Sequence, residues 1–324
     1  MKYLARIALT LGIAVTVVLV IRNGAQSIVG LLKQAGPSLL LLVPLHIIPL
    51  LLDVIGWRVL IFDRTRLSSL FFIAAIREAI NRLLPVANVG GELVGIRLLV
   101  RQGVSGTIAS TSVIIEMLLN LVAQYLFLAL GLGILLRITG SLRSMDALLM
   151  AVVGTLPLLL LLMWLLRSGR LLRTVEKLGA RMLNSKTERV GALSHLTQLD
   201  TAIRRLSLAH DRLALATAWQ LAGLIAGSSE DWLALRWLGH PVSPEAALVI
   251  ESITLAARSL IFVAPAGLGV QEGSLVGLGH VLGFGSDVAI ALSLAKRMRE
   301  ILFGVPALAA WQLSVRARAR AQSA

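Results

Sequence analysis

The chain has no cysteine, so disulfides and thiolate metal sites are excluded, and cysteine usage gives no hint of compartment. Acids are scarce: 17 Asp and Glu stand against 31 Lys and Arg, a formal net charge of +14. No basic groove or aromatic platform accompanies that surplus, so nucleic acid is not the expected partner. The five histidines (His46, His195, His210, His240, His280) lack metal-ligand spacing, and a lone one such as His46 reads as a packing residue. Phosphate-binding Walker loops, hydrolase elbows and the strand alternation of a barrel are also missing. Gly267-Leu-Gly269 followed by Gly273 is not a dinucleotide fingerprint, because no strand precedes it and its third glycine is misplaced. No metal, cofactor or catalytic residue is therefore expected.

Apolar length is what the chain has in excess. It is 57% hydrophobic with a mean hydropathy of +0.85, far more apolar surface than a soluble domain can hide. Several stretches reach the ~20 residues that cross a bilayer. The expected fold class is all-α, a polytopic membrane helix bundle, since lipid leaves backbone groups no outside partner. The N-terminal run from Arg6 to Ile21 reads as an uncleaved first span, and a second runs from about Ser38 to Trp57. Trp57, Trp164, Trp237 and Trp311 lie near span ends and read as interfacial anchors.

A short pattern occurs twice. Pro85 is followed by Gly90, Gly91 and Glu92; Pro265 is followed by Gly267, Gly269 and Glu272. The prolines are 265 − 85 = 180 positions apart, as are the two glutamates, Gly103 and Gly283, and Ala109 and Ala289. Each copy interrupts an apolar segment, because proline removes a donor and glycine relaxes the backbone. Paired interrupted helices in two halves are a transporter signature. The expected plan is one membrane domain, 1–324. Its first half, 1–166, contains a re-entrant hairpin at 68–103. Its second half, 213–324, contains one at 246–283. Between them, 167–212 is a basic cytoplasmic segment whose Arg170, Arg173, Lys177 and Arg181 fall on one helical stripe.

The positive-inside rule places both termini, the 58–67 loop and 167–212 in the cytoplasm, with 239–245 outside. The two hairpins then enter from opposite faces, an inverted repeat. Arg137 and Arg143 run against this scheme, since they fall outside.

Charges within the hydrocarbon cost roughly 2.5–3.5 kcal/mol each on insertion scales, yet this chain keeps many. Arg77 and Asn81 share a helical face just before the first break. Glu251 and Arg258 share one before the second, and Lys296 and Glu300 form an i, i+4 pair. Glu116 and Lys296, also 180 apart, are expected to meet near a pseudo-twofold axis. A polar cavity lined by Arg77, Asn81, Glu92, Arg97, Glu116, Arg258, Glu272, Lys296 and Arg297 follows, shaped by the breaks at Pro85, Gly90, Gly91, Pro265, Gly267 and Gly269. Arg82 and Arg101 read as residues that snorkel to the interface. Mutual neutralisation that locks helices together is the competing account of the individual charges.

At these residues the chain resembles the transmembrane, flippase-like family related to lysylphosphatidylglycerol synthase. The first motif is Arg77-Glu78-Ala-Ile-Asn81-Arg-Leu-Leu-Pro85-Val-Ala-Asn88-Val-Gly90-Gly91-Glu92. The second is Pro265-Ala-Gly267-Leu-Gly269-Val-Gln271-Glu272-Gly273. The first is most similar to the branch associated with hopanoid biosynthesis. The resemblance implies a multi-pass protein of the bacterial inner membrane that handles a membrane lipid, polycyclic or anionic. Full-length synthases add a soluble aminoacyl-transferase domain; this chain stops soon after the last span, so aminoacylation is not expected. Two alternatives stay open: a membrane-embedded lipid-modifying enzyme, and a non-catalytic scaffold for lipid-biosynthesis enzymes.

Overall fold

Proline and glycine decide where the helices stop. In the computed structural model, which describes residues 21, 25–61, 65–84, 90–140, 198–199, 201–260 and 269–323, there is no strand among the described residues. Helix α1 (Ala25–Ala35) passes through a 3-10 turn at Gly36–Leu41, which carries Pro37 in its first turn, into α2 (Leu42–Leu45) and α3 (Ile47–Leu60). Together Ala25–Leu60 make a 36-residue apolar stretch long enough to span a bilayer. The expected start of this span at Ser38 is thus too late: the helix tightens at Pro37 without ending. The span proposed for Arg6–Ile21 lies outside the described residues apart from Ile21.

Helix α4 (Leu67–Leu83) ends where Leu84 turns extended, φ −110° and ψ 143°, the conformation a following proline imposes. Then come α5 (Gly90–Arg101) and α6 (Gly106–Thr139), a second long apolar span. Ser105 caps α6 by accepting from the Ile108 N–H at 3.3 Å, and Gly140 closes it at φ 62°. The second set is α7 (His210–Trp237), α8 (Pro244–Leu260), α9 (Val270–Leu282) and α10 (Ser286–Ser323). Most of the basic 167–212 segment lies outside the described residues. Within it, residues 201–207 are helical, and Ile203 and Leu206 pack with Leu60 and Ile115.

The 180-residue offset reappears in the helix boundaries. Helices α5 and α9 begin at 90 and 270, α6 and α10 at 106 and 286, and Gly103 and Gly283 both take positive φ, 93° and 84°. Much of the packing repeats as well, the extensive α6–α7 contact being the exception, with no comparable α3–α10 contact. Exchange α3 with α7, α4 with α8, α5 with α9 and α6 with α10. The pairs α3–α4, α4–α5, α5–α6, α3–α6 and α4–α10 then become α7–α8, α8–α9, α9–α10, α7–α10 and α8–α6, and all ten are in contact. The pair α3–α7 maps onto itself, with reciprocal glycines. A Cβ on Gly56 would sit 3.0 Å from the Ala216 carbonyl oxygen, and one on Gly223 3.1 Å from that of Pro49. Small residues of this kind let helix backbones approach closely within a membrane.

Polarity is arranged inside out. Arg77, Glu116, Glu230, Asp231, Glu272, Lys296, Arg299 and Glu300 are all buried, while Leu41, Ile48, Leu126, Leu130, Ile301 and Leu313 are exposed. Water would reject that exterior, whereas lipid accepts it and drives ionisable groups inward.

Candidate functional site

Helices α4 and α5 run antiparallel on either side of residues 85–89, and their contact is built on missing side chains. A Cβ on Gly91 would fall 2.7 Å from Asn81 Oδ1, and one on Gly95 2.6 Å from Arg77 Cδ. Gly91 is therefore an element of close approach within α5 and not part of the break, and Gly90 opens the same helix. This closeness brings Arg77, Asn81 and Glu92 together. Asn81 accepts from the Gly91 N–H at 2.9 Å and donates to Glu92 at 3.2 Å. The Arg77 guanidinium donates to Glu92 and, at 2.6 Å, to Glu116 of α6. Its other face lies 4.5 Å above the ring centroid of Trp57. Trp57 is 1% exposed, so it is a cation platform in the core and not the expected interfacial anchor.

Arg77, Asn81, Glu92 and Glu116 wall a cavity of about 380 Å³. Helix α3 contributes Leu50 and Asp53, α4 contributes Glu78 and Arg82 beside Arg77 and Asn81, and α6 adds Asn120 and Gln124 beside Glu116. Helix α8, from the second half, supplies Arg258 and Ser259. Ser259 donates to Gln124 at 2.8 Å and Gln124 to Asn120 at 2.6 Å, tying α8 to α6 along the wall. Asp53 has no hydrogen-bond or salt-bridge partner among the described residues. Arg82 does not reach for an interface: it lies 4.0 Å from Glu78 and 3.9 Å from Glu300.

The second set of expected residues sits differently. Arg258 donates to Gln271 at 2.7 Å and approaches Glu300 at 3.5 Å. Gln271 donates to Ser293 at 2.8 Å, and Ser293 to Glu272 at 2.9 Å. Glu272 also accepts the N–H of Gly269, which has φ 81°, at 2.7 Å, and Arg297 lies 3.4 Å away. Lys296 is held by Asp231 at 2.8 Å and by Glu251. Glu116 and Lys296 therefore do not meet: each is claimed by its own half. The expected Lys296–Glu300 pair is absent too, Glu300 being taken by Arg82, Arg258 and Arg297.

Of the residues expected to line a cavity, Arg77, Asn81, Glu92, Glu116 and Arg258 do so; Glu272, Lys296 and Arg297 belong to the adjoining network. Arg97 points away: it is exposed and has no partner among the described residues. Pro85, Pro265 and Gly267 lie outside the described residues; Gly269 is the N-cap of α9. Sequence reasoning missed Asp53, Glu230 and Asp231, and misjudged His46, which bridges Glu78 at 2.9 Å and Glu230 at 2.8 Å. A charged residue inside an apolar span is the available signal for all of them.

An apolar exterior, long helical spans and a charged interior define an integral membrane protein. The family described as "Lysylphosphatidylglycerol synthase TM region" matches residues 5–307. The chain belongs to that family of lipid-related membrane proteins. No curated protein matches it. No solved structure matches it either.

Proposed function

We propose that the protein translocates a lipid across the bacterial inner membrane, the headgroup passing through the cavity between α3, α4, α5, α6 and α8. A polar headgroup in hydrocarbon loses its hydrogen bonds at a cost of several kcal/mol. A wall of amides, hydroxyls and ionised pairs offers replacements. The single observation behind this reading is that wall, assembled from both halves beside the interrupted α4–α5 pair.

Its volume suits a headgroup and leaves the lipid's apolar body in the bilayer. Arg82 and Arg258 supply positive charge that is only partly matched, and Asn81, Asn120 and Gln124 supply hydroxyl-matching amides. The cargo class is therefore an anionic or hydroxyl-rich lipid, which includes hopanoid-type polycyclic lipids with polar side chains. The repeated packing supports two halves of inverted topology, with one helix-interrupting hairpin from each face and both termini in the cytoplasm.

The test is tracer movement in proteoliposomes of phosphatidylethanolamine and phosphatidylglycerol carrying a fluorescent phosphatidylglycerol. Faster leaflet exchange than in protein-free vesicles, lowered in Glu92→Gln, is expected. Equal exchange with and without protein, repeated with a hydroxylated polycyclic lipid tracer, would overturn the proposal.

A further inference from the structure

His46 lies in the one-residue turn between α2 and α3, where it is 8% exposed. Both ring nitrogens meet carboxylates: Nε2 is 2.9 Å from Glu78 of α4, and Nδ1 is 2.8 Å from Glu230 of α7. A neutral imidazole has one N–H and one lone pair, so one of these contacts would set two acceptors against each other. Two N–H groups satisfy both. Arg299 of α10 spans the same carboxylates, 3.5 Å from Glu78 and 3.1 Å from Glu230, and Phe303 sets its ring edge-on to the imidazole, centroids 5.0 Å apart. Arg82 stands behind Glu78, Asp53 lies further along α3, and Asp231, next to Glu230, is occupied by Lys296. With the ring doubly protonated, each of Glu78 and Glu230 has an imidazole N–H to accept as well as its contact with Arg299. Without that proton one of the two buried carboxylates faces a nitrogen lone pair in place of an N–H donor, which is costly.

We infer that His46, Glu78 and Glu230 form a proton-binding site that fastens the first half to the second and exchanges with the cavity through Glu78. Glu78 is the member of the trio that also lines the cavity. The bound ligand is a proton, and losing it sets Glu78 and Glu230 against an uncharged ring, loosening α4 from α7. This holds whatever lipid the cavity accepts.

The experiment uses the full chain, labelled with nitrogen-15 histidine, with His195, His210, His240 and His280 replaced by Gln so that His46 alone reports. Nitrogen NMR at neutral pH is expected to show both ring nitrogens protonated, with the second proton leaving reversibly as the bath is made alkaline. Glu78→Gln should then yield one protonated nitrogen at neutral pH, because the new amide donates to Nε2; Glu230→Gln is the second variant, with the same expectation at Nδ1. A singly protonated ring at neutral pH in the parent overturns the inference. So does a doubly protonated ring that ignores the bath, or one unchanged by both substitutions. No lipid movement enters the readout, so failure here is separate from failure of the transport proposal.

Discussion

Glu92 and Glu272 are each the third residue of the helix that follows a break, α5 and α9, yet they do different work. Glu92 turns sideways to Arg77 and Asn81 of the preceding helix and faces the cavity. Glu272 folds back on its own helix start, accepts the Gly269 N–H, and is covered by Ser293 and Arg297 at 1% exposure. The same pattern builds a cavity wall in one half and a buried hydrogen-bonded network in the other.

The largest test of that contrast is Arg77→Met. It strands Glu92 and Glu116 without their cation, and breaking a buried pair from one side costs about 3–5 kcal/mol. Denaturant unfolding in detergent should register the loss, and adding Glu116→Gln should recover part of it. A single variant as stable as the parent would mean Arg77 is not the hub of the first break. Next come the paired acids. Glu92→Gln should slow tracer movement about tenfold, equivalent to about 1.4 kcal/mol on the barrier, with a smaller stability loss than at Glu272, because its amide faces the Arg77 or Asn81 donor at the edge of an open cavity where water can relieve the clash. Glu272→Gln should instead lower stability by about 1–3 kcal/mol, because its amide faces the Gly269 N–H donor to donor. Reversal of those two phenotypes would erase the distinction between cavity wall and buried network.

Glycines sharpen it further. Gly91→Ala pushes a methyl into Asn81 and the Arg77 backbone and should cost about 1–3 kcal/mol. Gly277→Ala in α9 meets open space and should be neutral or stabilising by up to about 1 kcal/mol. The smallest effect belongs to Arg97→Gln, an exposed site whose loss should stay within about 0.5 kcal/mol and leave tracer movement as it was.

Sequence reached the end of α4 and the starts of α5 and α9 because proline and glycine act locally, and the 180-residue offset it displays recurs in the starts of α5, α6, α9 and α10. It joined Arg77, Asn81 and Glu92 for a similar reason: Arg77 and Asn81 share a face at i and i+4, and that face meets the start of α5. It failed where the partner arrives from far along the chain. Glu230 comes to His46 across 184 residues and Glu78 to Arg299 across 221; nothing in periodicity says which helix face meets which. Arg97 was misplaced because charge alone does not reveal its side of α5. Trp57 was read from its nearness to a span end, when its ring was needed beneath Arg77.

That stacked indole has a practical consequence. Indole emission responds to a cation resting on its face, so withdrawing the Arg77 guanidinium from Trp57 would alter both intensity and wavelength. A variant keeping Trp57 as its sole tryptophan would carry an intrinsic optical gauge of the Arg77 guanidinium, reporting its displacement in real time without any attached dye.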